Sequence, residues 1–354
     1  MNVFSGAYRQ DDIAFLLEPV VIKMTSIEEK ERLIQSGEKH YSDLLTQEPA
    51  PSATHLSLYQ KALEQGEVRL AKEVLALAKR LADDFADQDV VLVSLVRAGV
   101  PLGVMLHRAL KNLGHKSFHY GISIIRDRGI DFHALQQIEQ KHSTQQIVFV
   151  DGWTGKGMIS NQLKHSLKGR TGYDLPRLVV LADPCGVAWL SASLDDWLIP
   201  FGILGAPVSG LVSRSLWSET GYHGCMVCSH LAAYECGVSL VDRIEKLQQN
   251  LTDEIHPATN DIVQINTVNQ KSKRVIEDIQ HRYQISAIHR LKPGIAEATR
   301  AVLRRVPKHV LVQDQQDKDV ALLIHLAQEK GIHVTEEGSL LGPYRAMTII
   351  QKVC

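Results

Sequence analysis

The stretch that most constrains this chain is residues 148–159, VFVDGWTGKGMI. Three apolar residues run into Asp151, and a turn of small residues opens a helix near Met158. A short apolar run ended by turn residues reads as a buried parallel strand. Parallel strands need crossovers, usually helical, that cover the sheet, so an α/β chain is expected. A Gly-rich turn entering a helix points N–H groups and the positive end of the helix dipole at one spot, which suits a phosphate. Asp151 stands at the carboxyl end of its strand, where open α/β sheets bind ligands. These residues predict a sugar-phosphate site. Asp151 would face a ribose hydroxyl or a metal, and Gly152, Thr154, Gly155, Lys156 and Gly157 would wrap a 5-phosphate. The competing reading is a plain strand-to-helix turn with a capping Asp.

A second turn of the same kind lies upstream. Residues 63–85 carry apolar side chains at helical spacing, and residues 89–95 read as a strand. That strand ends in VRAGVPLG at 96–103, followed by a helix through residue 110. Arg97 is a cation in a turn where Ala98 and Gly99 let a ligand reach backbone N–H groups, the chemistry a pyrophosphate needs. The alternative is a strand-to-helix turn with a solvent-exposed Arg. Between the two turns, a strand at 118–125 runs into RDRGID at 126–131. Two arginines and two aspartates there can fold over a bound sugar phosphate, or simply pair with one another on the surface. A strand at 178–181 ends in the loop of Asp183 to Gly186.

Together these segments resemble the type I phosphoribosyltransferases. Asp151, Thr154, Gly155 and Lys156 match the loop that binds 5-phosphoribosyl-1-pyrophosphate (PRPP), and RAGVP at 97–101 resembles the pyrophosphate loop. Two departures stand out: Val150 occupies the place of the pattern's first acid, and the spacer is one residue shorter. The resemblance implies a parallel sheet flanked by helices and a Mg²⁺-dependent transferase. Arg97, Ala98 and Gly99 would hold pyrophosphate, and Asp151 would hold ribose or Mg²⁺. Arg126 to Asp131 would form a mobile hood that excludes water. FSGAYRQDDIAFLLEP, QSGEKHYSDLL and SIIRDRGID further resemble a narrower family, and this likeness runs over essentially the whole chain. That StiP-type family is named for a cysteine protease and occurs among tellurium-resistance proteins. It has been interpreted as a divergent phosphoribosyltransferase domain fused to a Pelota-type RNA-binding domain.

The family's name directs attention to YHGCMVCSH at 222–230. Cys225 and Cys228, with His230 and Cys236, make four possible zinc ligands at a spacing unlike the structural zinc motifs. Cys225 or Cys228 could instead be a nucleophile activated by His223 or His230. Sequence neighbours seldom form such a dyad, and small cysteines packed on an apolar helix face explain the segment equally. The five cysteines of the chain are an odd number, which argues against a disulfide framework.

A helix at 238–251 closes the first domain, taken as residues 1–251. The polar stretch 252–272 reads as a linker, and 273–354 as a small α/β domain. Within it, KPGIAEATR at 292–300 resembles the Gly-x-x-Glu-x-Thr-Lys/Arg turn of the Pelota and kink-turn-binding group. The match implies RNA contact through Lys292, Gly294, Glu297, Thr299 and Arg300. Residues 271–354 carry 14 basic and 9 acidic side chains against 25 and 31 in the rest, a mild excess that suits a polyanion. Apolar residues make up 44% and no run of them nears the roughly 20 residues of a membrane span. The N-terminus has no basic-then-apolar signal pattern. We therefore expect a cytoplasmic protein with no membrane partner, its oligomeric state open. The leading function is a divergent phosphoribosyltransferase with an RNA-binding tail and an unidentified base or nucleotide acceptor. A StiP-type cysteine protease and a non-catalytic nucleotide or RNA sensor are the alternatives.

Overall fold

A computed structural model describes residues 4–352. Cys354 and the first three residues lie outside them. The strands, in chain order, are β1 (Ala14–Phe15), β2 (Glu18–Pro19), β3 (Val90–Val96), β4 (Ser117–Ile125), β5 (Gly129–Ile130), β6 (Ile147–Val150), β7 (Leu178–Ala182), β8 (Leu190–Ser193), β9 (Gly224–Cys225), β10 (Leu291–Pro293), β11 (Pro307–Val312), β12 (His333–Glu336) and β13 (Ala346–Ile350). The helices are α1 (Ile27–Gln35), α2 (Ala53–Asp84), α3 (Gly99–Asn112), α4 (Phe132–Glu139), α5 (Met158–Leu167), α6 (Gly237–Gln249), α7 (Ile262–Arg282), α8 (Ile295–Arg304) and α9 (Ala321–Glu329). Among the described residues none is long and apolar enough to cross a membrane.

The main sheet runs β1-β4-β3-β6-β7-β8, every neighbouring pair parallel. Successive strand residues alternate faces. Val90 and Leu92 pack with Leu70, Val74, Leu77 and Leu81 of α2, while Val91 and Val93 pack with Leu135 of α4 and Leu163 of α5. Helices cover both faces, so the strands read as continuous apolar runs rather than alternating ones. The chain leaves β3 for β4 on one side and then returns to β6 on the other. The crevice beyond the carboxyl ends of β3 and β6 is thus a topological switch point, the place where such sheets take ligands.

The tail forms a second sheet, β10-β13-β11-β12, in which only β11 and β12 are parallel. Ile276 and Ile279 of α7 cover one face, with Leu311, Met347 and Ile349 beneath them. The other face does not close on itself. Ile295, Ala296, Ala298 and Val302 of α8 join the apolar cluster that holds Trp197, Leu198 and Phe201 of the body. The tail is therefore seated on the body through a shared core.

Several expected elements differ. Half of the stretch read as a linker is helix, because Asp261 accepts from the amides of Val263 and Gln264 and starts α7 there. The thiol segment is no helix: Gly224–Cys225 pairs with Glu18–Pro19 as a short parallel ladder, and a 3-10 turn follows at Ser229–Tyr234. Residues 28–45 hold only the helix α1 and a 3-10 turn at Tyr41–Asp43.

Candidate functional site

The two Gly-rich turns meet at the switch point through backbone. A Cβ on Gly99 would lie 2.0 Å from the Val150 carbonyl oxygen, so only glycine lets the turn after β3 pack on the end of β6. Gly157 has φ +75° and hands the second turn to α5 without a side-chain cap. The N–H groups of Gly155, Lys156 and Gly157 meet no acceptor among the described residues. Free amides at a helix N-terminus form a ready-made anion site.

Around them lies a cavity of about 360 Å³. The body contributes Asp151, Trp153 to Gly157, Arg126 and Tyr41, with Lys30 from α1 and Arg214 from a distant loop. The tail contributes His289, Lys292, Glu297, Arg304 and Arg305. Seven Lys and Arg side chains thus face two carboxylates. Arg126 bonds Asp127, Arg304 pairs with Glu48, and Arg305 with Glu31. Lys30, Lys156, Lys292 and Arg214 have no carboxylate partner among the described residues. Lys156 bonds only the carbonyls of Ile288 and Leu291, and Lys30 reaches the Arg304 carbonyl at 3.5 Å. Arg214 keeps one buried nitrogen, Nη1, without a partner.

Burial and mutual repulsion register in these groups. Burial first, then Lys292, brings Lys156 down to about 6. Burial and Arg214 hold Lys30 at about 8, and burial with Arg305 and Arg126 holds Lys292 at about 8. Burial raises Asp151 to about 7 against its bond from the Gly152 amide, with Glu297 adding to the rise. A buried unpaired charge is costly, and an entering anion relieves several at once.

The sequence-predicted residues fall into two groups. Asp151, Gly155, Lys156, Gly157, Ala98 and Arg126 do converge on the cavity. Gly152 packs against the Ala98 carbonyl as part of the interlock. Arg97 does not reach out. It is 8% exposed, bonds Glu48 at 2.6 Å and the Val212 carbonyl at 3.2 Å, and so braces the turn rather than presenting its charge. The Thr154 hydroxyl is committed to Asp183 at 2.5 Å, which leaves only its place in the loop. Asp131 is not part of a hood: it caps α4 through the Ala134 amide and accepts from the His223 amide, wholly buried. Arg128 of the same loop is tied to Asp43.

The turn expected to face RNA points inward. Gly294 has φ +89°, and the Ile295 amide beyond it donates to Asp196 of the body at 3.0 Å. Thr299 is fully buried, and Arg300 lies over the Trp153 ring at 5.1 Å. Lys292 and Glu297 look into the cavity.

The thiols are enclosed elsewhere. Cys225 is fully buried and pushed up to about 12, Cys228 up to about 11, both by burial foremost. The His223 ring bonds Ser123 Oγ at 2.7 Å, and His230 bonds the Glu48 carbonyl at 2.9 Å. Neither imidazole bonds a cysteine sulfur, and no cluster of three His, Cys, Asp or Glu able to hold a metal occurs among the described residues.

Sequence reasoning missed Lys30, Tyr41, Arg304 and Arg305 as wall residues, together with the bracing Glu48. Arg304 and Arg305 share in the basic excess of the tail and Tyr41 lies in the stretch QSGEKHYSDLL, but no local motif gives any of the five a place at the site.

A family model described as "Tellurite-like stress resistance cysteine protease StiP" matches residues 6–245, and one described as "PELOTA RNA binding domain" matches residues 270–352. A curated protein of Acinetobacter baylyi named "Cysteine protease StiP" is 47% identical, over 99% of this chain and 95% of its own length. Among solved structures, hypoxanthine phosphoribosyltransferase of Trypanosoma cruzi in complex with the product IMP matches at 17% identity, 48% of this chain, 91% of that chain and TM-score 0.28. The same enzyme in a 1.4 Å crystal structure matches at 19% identity, 36% and 76%, also at 0.28. Scores this low carry no argument, and the fold assignment rests on strand order.

Proposed function

From the premise that the chain belongs to the StiP family, we propose that its cleft binds a sugar phosphate of the PRPP type. It would transfer the phosphoribosyl group to a base or nucleotide-type acceptor. The observation that carries this reading is the cavity in which Lys30, Lys156, Lys292 and Arg214, none with a carboxylate partner among the described residues, surround three free amides and Asp151. In such a transfer the C1–O bond to diphosphate breaks with the electron pair leaving on diphosphate, a nitrogen lone pair of the acceptor forms the new bond to C1, and the acceptor's proton passes to water or the diphosphate. Preorganised cations stabilise that charge in a water-poor site. Asp151 would face the ribose hydroxyls. A single carboxylate together with substrate phosphates is also a usual way to hold Mg²⁺, so Asp151 would hold that ion, which would supply positive charge against the phosphates when bound. The test is calorimetric titration of PRPP with Mg²⁺ into the protein and its Asp151→Ala variant. Micromolar binding lost in the variant is expected; no heat with the wild type sinks the reading and favours a degenerate site or a sensor.

RNA is the partner proposed for the tail, on the strength of the domain model's name and the basic excess of residues 271–354.

A second reading, cysteine protease, is favoured by the names of the family and of the 47% identical relative. The names support it more directly than they support the transferase. Its best nucleophile here is Cys228, a thiol that burial pushes up to about 11 and that Arg97 and Arg304 pull back while Glu48 raises it. Cleavage of a test protein that survives Cys225→Ser and Cys228→Ser, singly and combined, would remove these thiols from the reading.

A further inference from the structure

We infer that Glu297, a residue of the tail, supplies the second carboxylate of the sugar-phosphate site, so that the site is built from both domains. This rests on the proposed sugar-phosphate reading. The body cannot provide that acid from β6. Val150, where the phosphoribosyltransferase pattern has one, is wholly buried in the core, and its carbonyl is pressed against Gly99. An acid there would lie in apolar packing, away from any ligand. Glu297 instead stands at the wall of the same cavity as Asp151, close over the phosphate turn. A Cβ placed on Gly155 would be 3.3 Å from Glu297 Cγ. Its charge is felt at Asp151, Lys156 and Lys292 alike.

Nothing in the fold uses this carboxylate. Glu297 is the third residue of α8, where a Glu often reaches back to the capping amide. Here that amide, of Gly294, is taken by the Ala346 carbonyl. Glu297 makes no hydrogen bond or ion pair among the described residues. Asp151 likewise holds only the Gly152 amide, through one oxygen. Two carboxylates with unused oxygens, set among unpaired cations, match a ligand that is anionic at its ends and carries a diol between them. A vicinal diol offers two O–H donors, and one ionised carboxylate for each is the arrangement the chemistry asks for.

The experiment is calorimetric titration of PRPP with Mg²⁺, and of inorganic pyrophosphate beside it, into the full chain and its Glu297→Gln variant at one pH, with thermal unfolding as a check on folding. The variant should bind roughly ten- to a hundredfold more weakly, the loss of a hydrogen bond to a charged group. Its affinity for inorganic pyrophosphate, which has no diol, should not fall. Equal affinity in both proteins overturns the inference and leaves the sugar-phosphate reading standing. Equal weakening of PRPP and pyrophosphate also overturns it, because the loss then came from a displaced tail. No PRPP binding by the wild type takes down the reading and the inference together.

Discussion

The cleft around Asp151 and the segment around Cys225 both bury titratable groups, and burial does opposite things to them. A thiol is neutral at rest, so burial merely holds it there: Cys225 sits at about 12 and Cys228 at about 11, and the His223 and His230 rings bond other groups. A lysine is charged at rest, so burial works against it: Lys156 is brought to about 6, Lys30 and Lys292 to about 8. The thiol segment is at ease without a ligand, whereas the cleft is under electrostatic stress that an anion would relieve. Strongly perturbed groups gathered in a cleft mark a functional site more often than buried neutral ones do.

The largest effect should come from unseating the tail, which forms one wall of the cleft and reaches the thiol segment through Leu303 and Arg304 beside Cys228. Asp196 accepts from the amides of Ile295 and Arg345. In Asp196→Ala both amides lose their partner, at a cost of about 2–5 kcal/mol for two orphaned donors. Denaturant unfolding should report that loss, and PRPP binding should weaken with it. Intact stability would mean that the tail's seat lies elsewhere.

Next comes pH. Lys30, Lys156 and Lys292 bind fewer protons in the folded than in the unfolded chain from about pH 6 to 10, so they make stability rise with pH. Raised thiols do the reverse above about pH 8.5, where unfolded cysteines ionise and folded ones do not. Stability should therefore climb by roughly 1–3 kcal/mol between pH 7 and 8.5 and flatten beyond. Saturating pyrophosphate should help most at the low end, where the lysines need a partner. A flat profile from pH 7 to 8.5 would break the contrast between the two regions.

A third effect follows from the inward turn. Lys292 and Glu297 cannot face RNA and the cleft at once, and Arg300 is held over the Trp153 ring. RNA retained by the protein in a filter assay should be displaced several-fold by millimolar PRPP. Undiminished retention would place RNA on another face of the tail.

The smallest effects belong to the thiols. Cys225→Ala should cost about 1 kcal/mol of stability for a small cavity and leave PRPP binding unchanged. Iodoacetamide at pH 7 should modify Cys225 and Cys228 only after unfolding. Rapid labelling of one of them in the native protein would turn the argument toward the protease.

Much of the fold was legible because it is local. The apolar run into Asp151, the glycines behind it and the helical spacing of residues 63–85 act over a few residues, and they give the parallel strands and their turns. The place of Asp151 and of the free amides follows from the same short stretch. Which charges remain free there did not follow. Arg97 is taken up by Glu48, 49 residues away, and Thr154 by Asp183. Asp131 turned out to be a helix cap, and Glu297 came into the cleft from nearly 150 residues downstream. The sequence by itself determined the elements and the turn chemistry, since backbone preference and hydrophobic period are short-ranged. Only the tertiary structure decided which ionisable groups are neutralised and which are left facing a cavity, because that depends on partners brought together by packing.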